Sequence, residues 1–421
     1  MGIRRNLALQ SLTHTLSRGM GFLFFLVLAR LLGAEHFGRF SFALGVGALL
    51  SIFMEFGLEP LIIKWTARGR HTLVAAAVRL RLISSAGILV LLLAALPFVP
   101  RADTLLLALM GLFFALQTLM QTHSFAFQGM EKMEWELGVS GLQKAGAIAL
   151  ALLLVTLRPA PEMGALSLVV SALAGLAAAR WIVRRRRLAV LDFPLPGKSW
   201  TIPGADLKAV LRESLPLVVM AVGWSIYFKI DVVLLKLFVE DRDIGLYSSA
   251  YKLLEGMTIF PSILLAAIFP ALSRRAVADP ARARRLFRQA LILLLPAAAL
   301  LALALRQWGG RLILALFGPD YLEAAPLLAI LALALLALFP GYLVTKSLLA
   351  YDRNLLFAGI TLAAAGLNVG LNLVLIPRLG AAGAAWATVA TESFVTLACG
   401  IAVQVIQTSN RTSVTAGRAA G

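Results

Sequence analysis

The chain has 421 residues, 60% of them hydrophobic and only 14% charged, with a mean hydropathy of +0.88. Soluble domains carry about 25% charged residues, so this composition excludes a water-soluble enzyme, a disordered chain and a nucleic-acid-binding domain. The net charge of +18 then calls for a topological explanation, and the lone Cys399 excludes an intrachain disulfide and a thiolate metal cluster.

A helix needs about 20 apolar residues to cross the hydrocarbon core, and the sequence offers about twelve such stretches. The first group runs 7–32, 37–63, 73–96, 103–128, 137–157 and 163–182. Span one carries Arg18 and continues through Leu32 without a small-x-small cleavage pattern, which argues against a signal peptide. Span two ends on Glu55 and Glu59, one turn apart, followed by Pro60 and Lys64. These carboxylates read either as a weak proton or sodium site or as surface groups neutralised by Lys64 or Arg68. Span four holds Gln117, Gln121 and His123, and span five holds Lys144. A single histidine supplies no ligand pair, so no metal is expected.

Residues 183–213 interrupt the apolar pattern, opening with Arg184 to Arg187 and continuing through Pro194, Pro196, Gly197, Pro203 and Gly204. They are predicted to form a cytoplasmic basic linker between an N-terminal six-helix lobe, 1–182, and a C-terminal one, 214–406, with 407–421 as a cytoplasmic tail. The second group of spans runs 214–237, 244–272, 286–305, 322–349, 355–376 and 381–406.

In span seven, Lys229 and Asp231 are two residues apart and point to different faces. In span eight, Tyr247, Tyr251 and Glu255 recur every four residues with Ser248 and Lys252 beside them, one polar stripe on an apolar helix. Lys252 is either a cavity-lining cation for an anionic substrate or the partner of Glu255 at i, i+3. Asn368 and Asn372, one turn apart in span eleven, either bond hydroxyls of a substrate or join helices to each other. Charges at the centre of a span cost at least about 2.5–3.5 kcal/mol. Arg18, Lys144, Lys229, Asp231, Lys252 and Glu255 are therefore expected to face a cavity or each other, with snorkelling as the alternative for Arg18.

Most of the 39 Lys and Arg fall on one side of this scheme, among them Arg79, Arg81, Arg184 to Arg187, Arg274 and Arg275. Arg39, Lys236 and Arg242 belong to the sparse other side. The positive-inside rule then places both termini and the linker in the cytoplasm. The halves also resemble each other: Phe37–Ala43 matches Ile244–Ala250, and Ser140–Gln143 matches Ala365–Asn368, at equivalent places in a six-plus-six arrangement. An even number of helices per half makes the repeats parallel, with a substrate site expected between them near the midplane.

A run of short motifs extends along nearly the whole chain. It begins with Leu16-Ser17-Arg18-Gly19, Ala29-Arg30-Leu31-Leu32-Gly33 and Phe37-Gly38. It continues with Ser214-Leu215-Pro216-Leu217, Tyr227-Phe228-Lys229-Ile230-Asp231, Gly245–Lys252, Phe269–Arg274 and Ile376–Ala385. In this order they resemble the bacterial polysaccharide biosynthesis, or O-antigen type oligosaccharide flippase, family of the multidrug/oligosaccharidyl-lipid/polysaccharide exporter superfamily. The resemblance implies an all-α, MATE-like membrane fold with two six-helix lobes forming a V around a central cavity. It implies alternating access that moves a polyprenyl-diphosphate-linked oligosaccharide to the outer leaflet of the inner membrane. A polysaccharide polymerase and glycosyltransferases are the further partners it allows; no cofactor and no nucleic acid belong to it. The short stretch after Ile406 departs from the related lipid-linked peptidoglycan precursor flippases, which carry additional helices.

Two other classes fit the composition. A multidrug or organic-cation exporter would prefer anionic and aromatic walls, whereas cations outnumber carboxylates among the intramembrane candidates. A membrane polymerase or glycosyltransferase would need large outer loops, while those at Leu96–Asp103 and Leu157–Met163 are short. No acid/base dyad, nucleophile triad or P-loop occurs, so no enzyme is expected. Arg18, Lys229 and Lys252 are expected to face one cavity.

Overall fold

The computed structural model describes residues 3–188 and 204–419. Among them the regular structure is entirely helical: α1 (Ile3–Glu55), α2 (Glu59–Ala67), α3 (His71–Ala95), α4 (Arg101–Gly129), α5 (Met133–Leu157), α6 (Pro161–Arg185), α7 (Gly204–Leu235), α8 (Asp241–Met257), α9 (Ile259–Ala278), α10 (Pro280–Leu316), α11 (Ala324–Ala350), α12 (Asn354–Leu379) and α13 (Ala381–Ala419). Helices satisfy their own backbone groups, which hydrocarbon cannot do. Eleven helical segments of the described chain are long and apolar enough to cross a membrane, and the chain is a multi-pass membrane protein.

The first of those eleven contains two crossings. Gly33 sits inside α1 at φ 72°, ψ 170°, a backbone region open essentially to glycine alone. Beyond it the helix folds back: the Phe24 ring lies 6.3 Å from Phe40, and Phe25 lies 5.9 Å from Phe37. The expected spans one and two are thus a helical hairpin whose turn is a single residue, which brings the crossings to the twelve expected. Gly33→Ala is expected to cost about 1–3 kcal/mol and to lower the unfolding temperature in detergent by several degrees; an unchanged midpoint would show that the turn tolerates a side chain.

The chain divides into two compact units, Met1–Ser225 and Ile226–Gly421. The boundary falls within α7. Of the expected linker, residues 189–203 lie outside the described residues. Residues 204–213 are the opening turns of α7, with Val210 fully buried in the core of the first unit. Asp206, Lys208, Arg212 and Glu213 break the apolar run there without breaking the helix.

In the first unit, α2, α3 and α4 pack around Trp65, Ile62, Val74, Ala77, Ala126 and Phe127, all fully buried. Gly164, Ala165, Ala172 and Gly175 make a small-residue face on α6 that lets neighbouring backbones approach closely. One end of the unit is clasped by Arg39. Its Nε donates to Asp103 Oδ1 at 3.1 Å, and its Nη2 reaches Glu162 at 3.5 Å and the Ala102 carbonyl. Hence α1, α4 and α6 converge on one guanidinium.

In the second unit α11 is central. Its sequence is apolar along nearly its whole length, and a helix apolar on all sides belongs in the interior. It packs against α8, α9, α10 and α13, and Thr396 of α13 donates to the Ala337 carbonyl at 2.8 Å. Between α12 and α13 the chain turns so sharply that a Cβ on Gly383 would lie 2.4 Å from the Leu375 carbonyl oxygen. Lys236–Asp241 (2.6 Å) and the exposed Arg242–Glu323 pair (2.6 Å) tie connections at one end; exposed pairs of this kind add little stability.

Candidate functional site

The second unit gathers most of the polar residues expected in the membrane. At its centre is Asp231 of α7, buried to 3% exposure. Tyr247 of α8 donates its hydroxyl to Asp231 Oδ2 at 2.9 Å, and Asn372 of α12 donates Nδ2 to Oδ1 at 2.9 Å. The Thr388 hydroxyl of α13 lies 3.2 Å from Oδ2 and 3.0 Å from the Ala384 carbonyl. Four helices therefore meet at one carboxylate that no cation pairs within 4 Å among the described residues. Asn372 thereby joins α12 to α7, and within α12 its Nδ2 also reaches the carbonyl of Asn368 at 2.9 Å and its Oδ1 at 3.0 Å. Meanwhile Asn372 Oδ1 is buried with no hydrogen-bond partner. A buried acceptor without a donor, next to a carboxylate, is a place where a proton donor or a cation lowers the energy.

Around this knot lies a looser shell. Tyr251 stacks on Tyr247, ring centroids 5.8 Å apart at 29°. Lys252 pairs with Glu255 at 2.7 Å, so the i, i+3 pair forms. Lys229 is half-buried and makes no ion pair among the described residues, while Glu255, Lys252 and Asp231 act on it electrostatically. It is the cation of this group left available to an anion.

Sequence reasoning missed two members of the cluster. Thr388 and Glu392 lie one turn apart on α13, and Glu392 is buried to 7% exposure with its carboxylate hydrogen-bonded to Tyr227. Their polar spacing at 388, 391 and 392 in an apolar span was the available signal. Glu392 also alters the charge count: Asp231 and Glu392 are buried, whereas Lys229 is only half-buried, so buried charge in this unit is not predominantly cationic.

Arg18, Lys144, Glu55 and Glu59 lie in the first unit. Arg18 and Glu59 are exposed, and Lys144 and Glu55 are half-buried. Lys64, expected to neutralise Glu55 or Glu59, pairs instead with Glu213 at 2.7 Å. The cation beside Glu55 is Arg81, and it corrects the charge sorting. Counted as a charge of the cytoplasmic face, Arg81 is fully buried, roughly 15 Å along α3 from its start by helical rise. Its Nε donates to the Glu55 carbonyl at 3.2 Å and its Nη1 to Thr122 Oγ1 at 2.9 Å, with Phe125 stacked 5.4 Å from the guanidinium. Ser84, one turn on, donates to the Met54 carbonyl at 2.9 Å. Together they cap the C-terminus of α1, where the last carbonyls lack helical partners. Gln117 and Gln143 bond each other, and His123 Nδ1 lies 3.0 Å from the Leu119 carbonyl.

The described residues form a polytopic helical membrane fold with buried polar knots and no strand, and solved structures share it. The chain is similar to the lipid II flippase MurJ in an inward closed conformation, with 12% identity and a TM-score of 0.73 over 94% of this chain and 87% of that one. It is similar to an inward-facing multidrug resistance MATE family transporter of the MOP superfamily, with 12% identity and a TM-score of 0.74 over 93% and 95%. A MOP superfamily transporter from Pyrococcus furiosus matches at 13% identity and a TM-score of 0.53 over 96% and 93%. The fold is MATE-like. The chain belongs to the polysaccharide biosynthesis protein family, whose model matches residues 3–275. Among curated proteins, no sequence match is found.

Proposed function

We propose that this protein flips a polyprenyl-diphosphate-linked oligosaccharide from the cytoplasmic to the outer leaflet of the bacterial inner membrane by alternating access, with both termini cytoplasmic. The observation that carries the reading is a polysaccharide biosynthesis family match on a chain with a transporter fold. In such a pathway the step that needs a transporter is passage of the lipid-linked glycan across the bilayer. Lys229 attracts the diphosphate, and Asp231 is the charge through which a proton or a monovalent cation acts on the cycle. Short connections such as 158–160 between α5 and α6 leave little room for an outer catalytic domain.

Expression in a host whose own oligosaccharide flippase gene is deleted should restore surface glycan and clear the accumulated lipid-linked precursor. Lys229→Glu should abolish that rescue while the protein stays in the membrane. Exchanging the pair, Lys252→Glu with Glu255→Lys, should preserve stability and still impair export, because the cation then sits at the more exposed position. Full rescue by Lys229→Glu overturns the assignment of the site. The buried Glu392 favours one competing reading, export of organic cations; raised tolerance to such compounds without glycan rescue would establish it in place of the flippase.

A further inference from the structure

The cytoplasmic-side end of α6, as placed by the positive-inside rule, carries a feature that lies outside the polar cluster described above. Ala177, Arg180, Trp181, Arg184 and Arg185 line an open recess of about 690 Å³. Their spacing puts them on one helical face, with the small Ala177 as floor. The Arg185 guanidinium stacks 4.9 Å from the Trp181 ring. Just beyond, Arg186 and Lys132 each lie 5.7 Å from Trp135 at the start of α5. Arg184 to Arg187 are all exposed and form no ion pair among the described residues.

Arginines at a helix C-terminus are stabilising by themselves, since the last carbonyls carry partial negative charge. That role needs no recess and no exposed tryptophan. Toward the membrane the same side of α6 presents Val170 and Leu173, 41% and 49% exposed, and then Trp181 at 58%. The order along the helix is apolar chain contact, interfacial aromatic, then stacked and pre-oriented guanidinium groups. That order matches a phospholipid lying alongside: acyl chain, glycerol level and phosphate.

We propose that this face of α6 is a binding site for an anionic phospholipid of the cytoplasmic leaflet, its phosphodiester held by Arg180, Arg184 and Arg185. The site is independent of the transported molecule.

The test uses the full-length protein in bilayers of phosphatidylcholine alone or of equal parts phosphatidylcholine and phosphatidylglycerol, with retained lipid read by native mass spectrometry. Wild type should retain phosphatidylglycerol preferentially. The triple variant R180Q/R184Q/R185Q should lose that preference roughly a hundredfold, as expected for three interfacial charges. R184K/R185K, which keeps the charge and loses the planar fork, should fall by less than about tenfold. The control R285Q/R288Q, on an exposed basic stretch of α10, should change nothing. Equal retention by the triple variant, or an equal loss in the control, overturns the site. Protection of detergent-solubilised wild type by inorganic pyrophosphate as strong as by phosphatidylglycerol would make it a soluble-anion site and overturn the lipid assignment.

Discussion

Asp231→Asn is expected to leave the protein folded and inserted while cutting transport at least about tenfold, which requires only some 1.4 kcal/mol at one step of the cycle. The structural cost should be small for a specific reason. Asn372 presents its amide nitrogen to Asp231 and holds a partnerless Oδ1, so rotating that amide together with the Asn368 amide lets an asparagine at 231 stay bonded, with only the bond from Asn372 to the Asn368 carbonyl given up. What disappears is the charge. Asp231→Ala should differ: Tyr247, Asn372 and Thr388 would then face a hole, at a cost of about 2–4 kcal/mol. Unfolding in detergent together with a glycan-export assay separates the two variants. Normal export by a folded Asp231→Asn protein would show that the carboxylate serves only to hold α7, α8, α12 and α13 together.

Arg81→Ala is expected to be the most damaging single change in the first unit, about 3–5 kcal/mol, because it strips the partners from a buried network. The Glu55 carbonyl and Thr122 each lose a donor, the carbonyl keeping only the Leu58 amide, and Phe125 loses the stacked guanidinium. Arg81→Met refills the volume without the donors and should recover part of that loss. Arg81→Lys keeps the charge but not the fork that spans α1 and α4, and should fall between them. Thermal unfolding followed by tryptophan fluorescence ranks the series. A methionine variant as stable as wild type would mean that volume, and not capping of α1, is what the site supplies.

These two residues also mark where sequence reading stops. The number and order of crossings were legible because about twenty consecutive apolar residues have few other uses. Even there, the hairpin at Gly33 looked like a short polar interval because hydropathy carries no information about φ. Lys252 and Glu255 were readable as a pair because their meeting depends only on helical geometry. Asn368 and Asn372 showed their one-turn spacing but not their partner, since Asp231 reaches them only through packing of α7 against α12. Arg81 was misplaced for a related reason: it lies two residues from Arg79 in the first half of α3, and nothing local shows that α1 ends beside it. Glu392 lay unremarked in a span of alanine, valine and threonine, its partner Tyr227 on a distant helix.

The one-residue turn at Gly33 also bears on how the protein is made. With no loop to be translocated separately, the two arms of α1 must enter the bilayer together as a preformed hairpin. With the termini cytoplasmic, as proposed, Arg39, close to that turn, crosses with them, yet the groups that later hold it, Asp103 and Glu162, belong to helices not yet synthesised. The young hairpin therefore carries an unmatched guanidinium until α4 emerges, and a fully held one only after α6. An order of assembly is built into the chain: the hairpin first, and its clasp only when the sixth helix arrives.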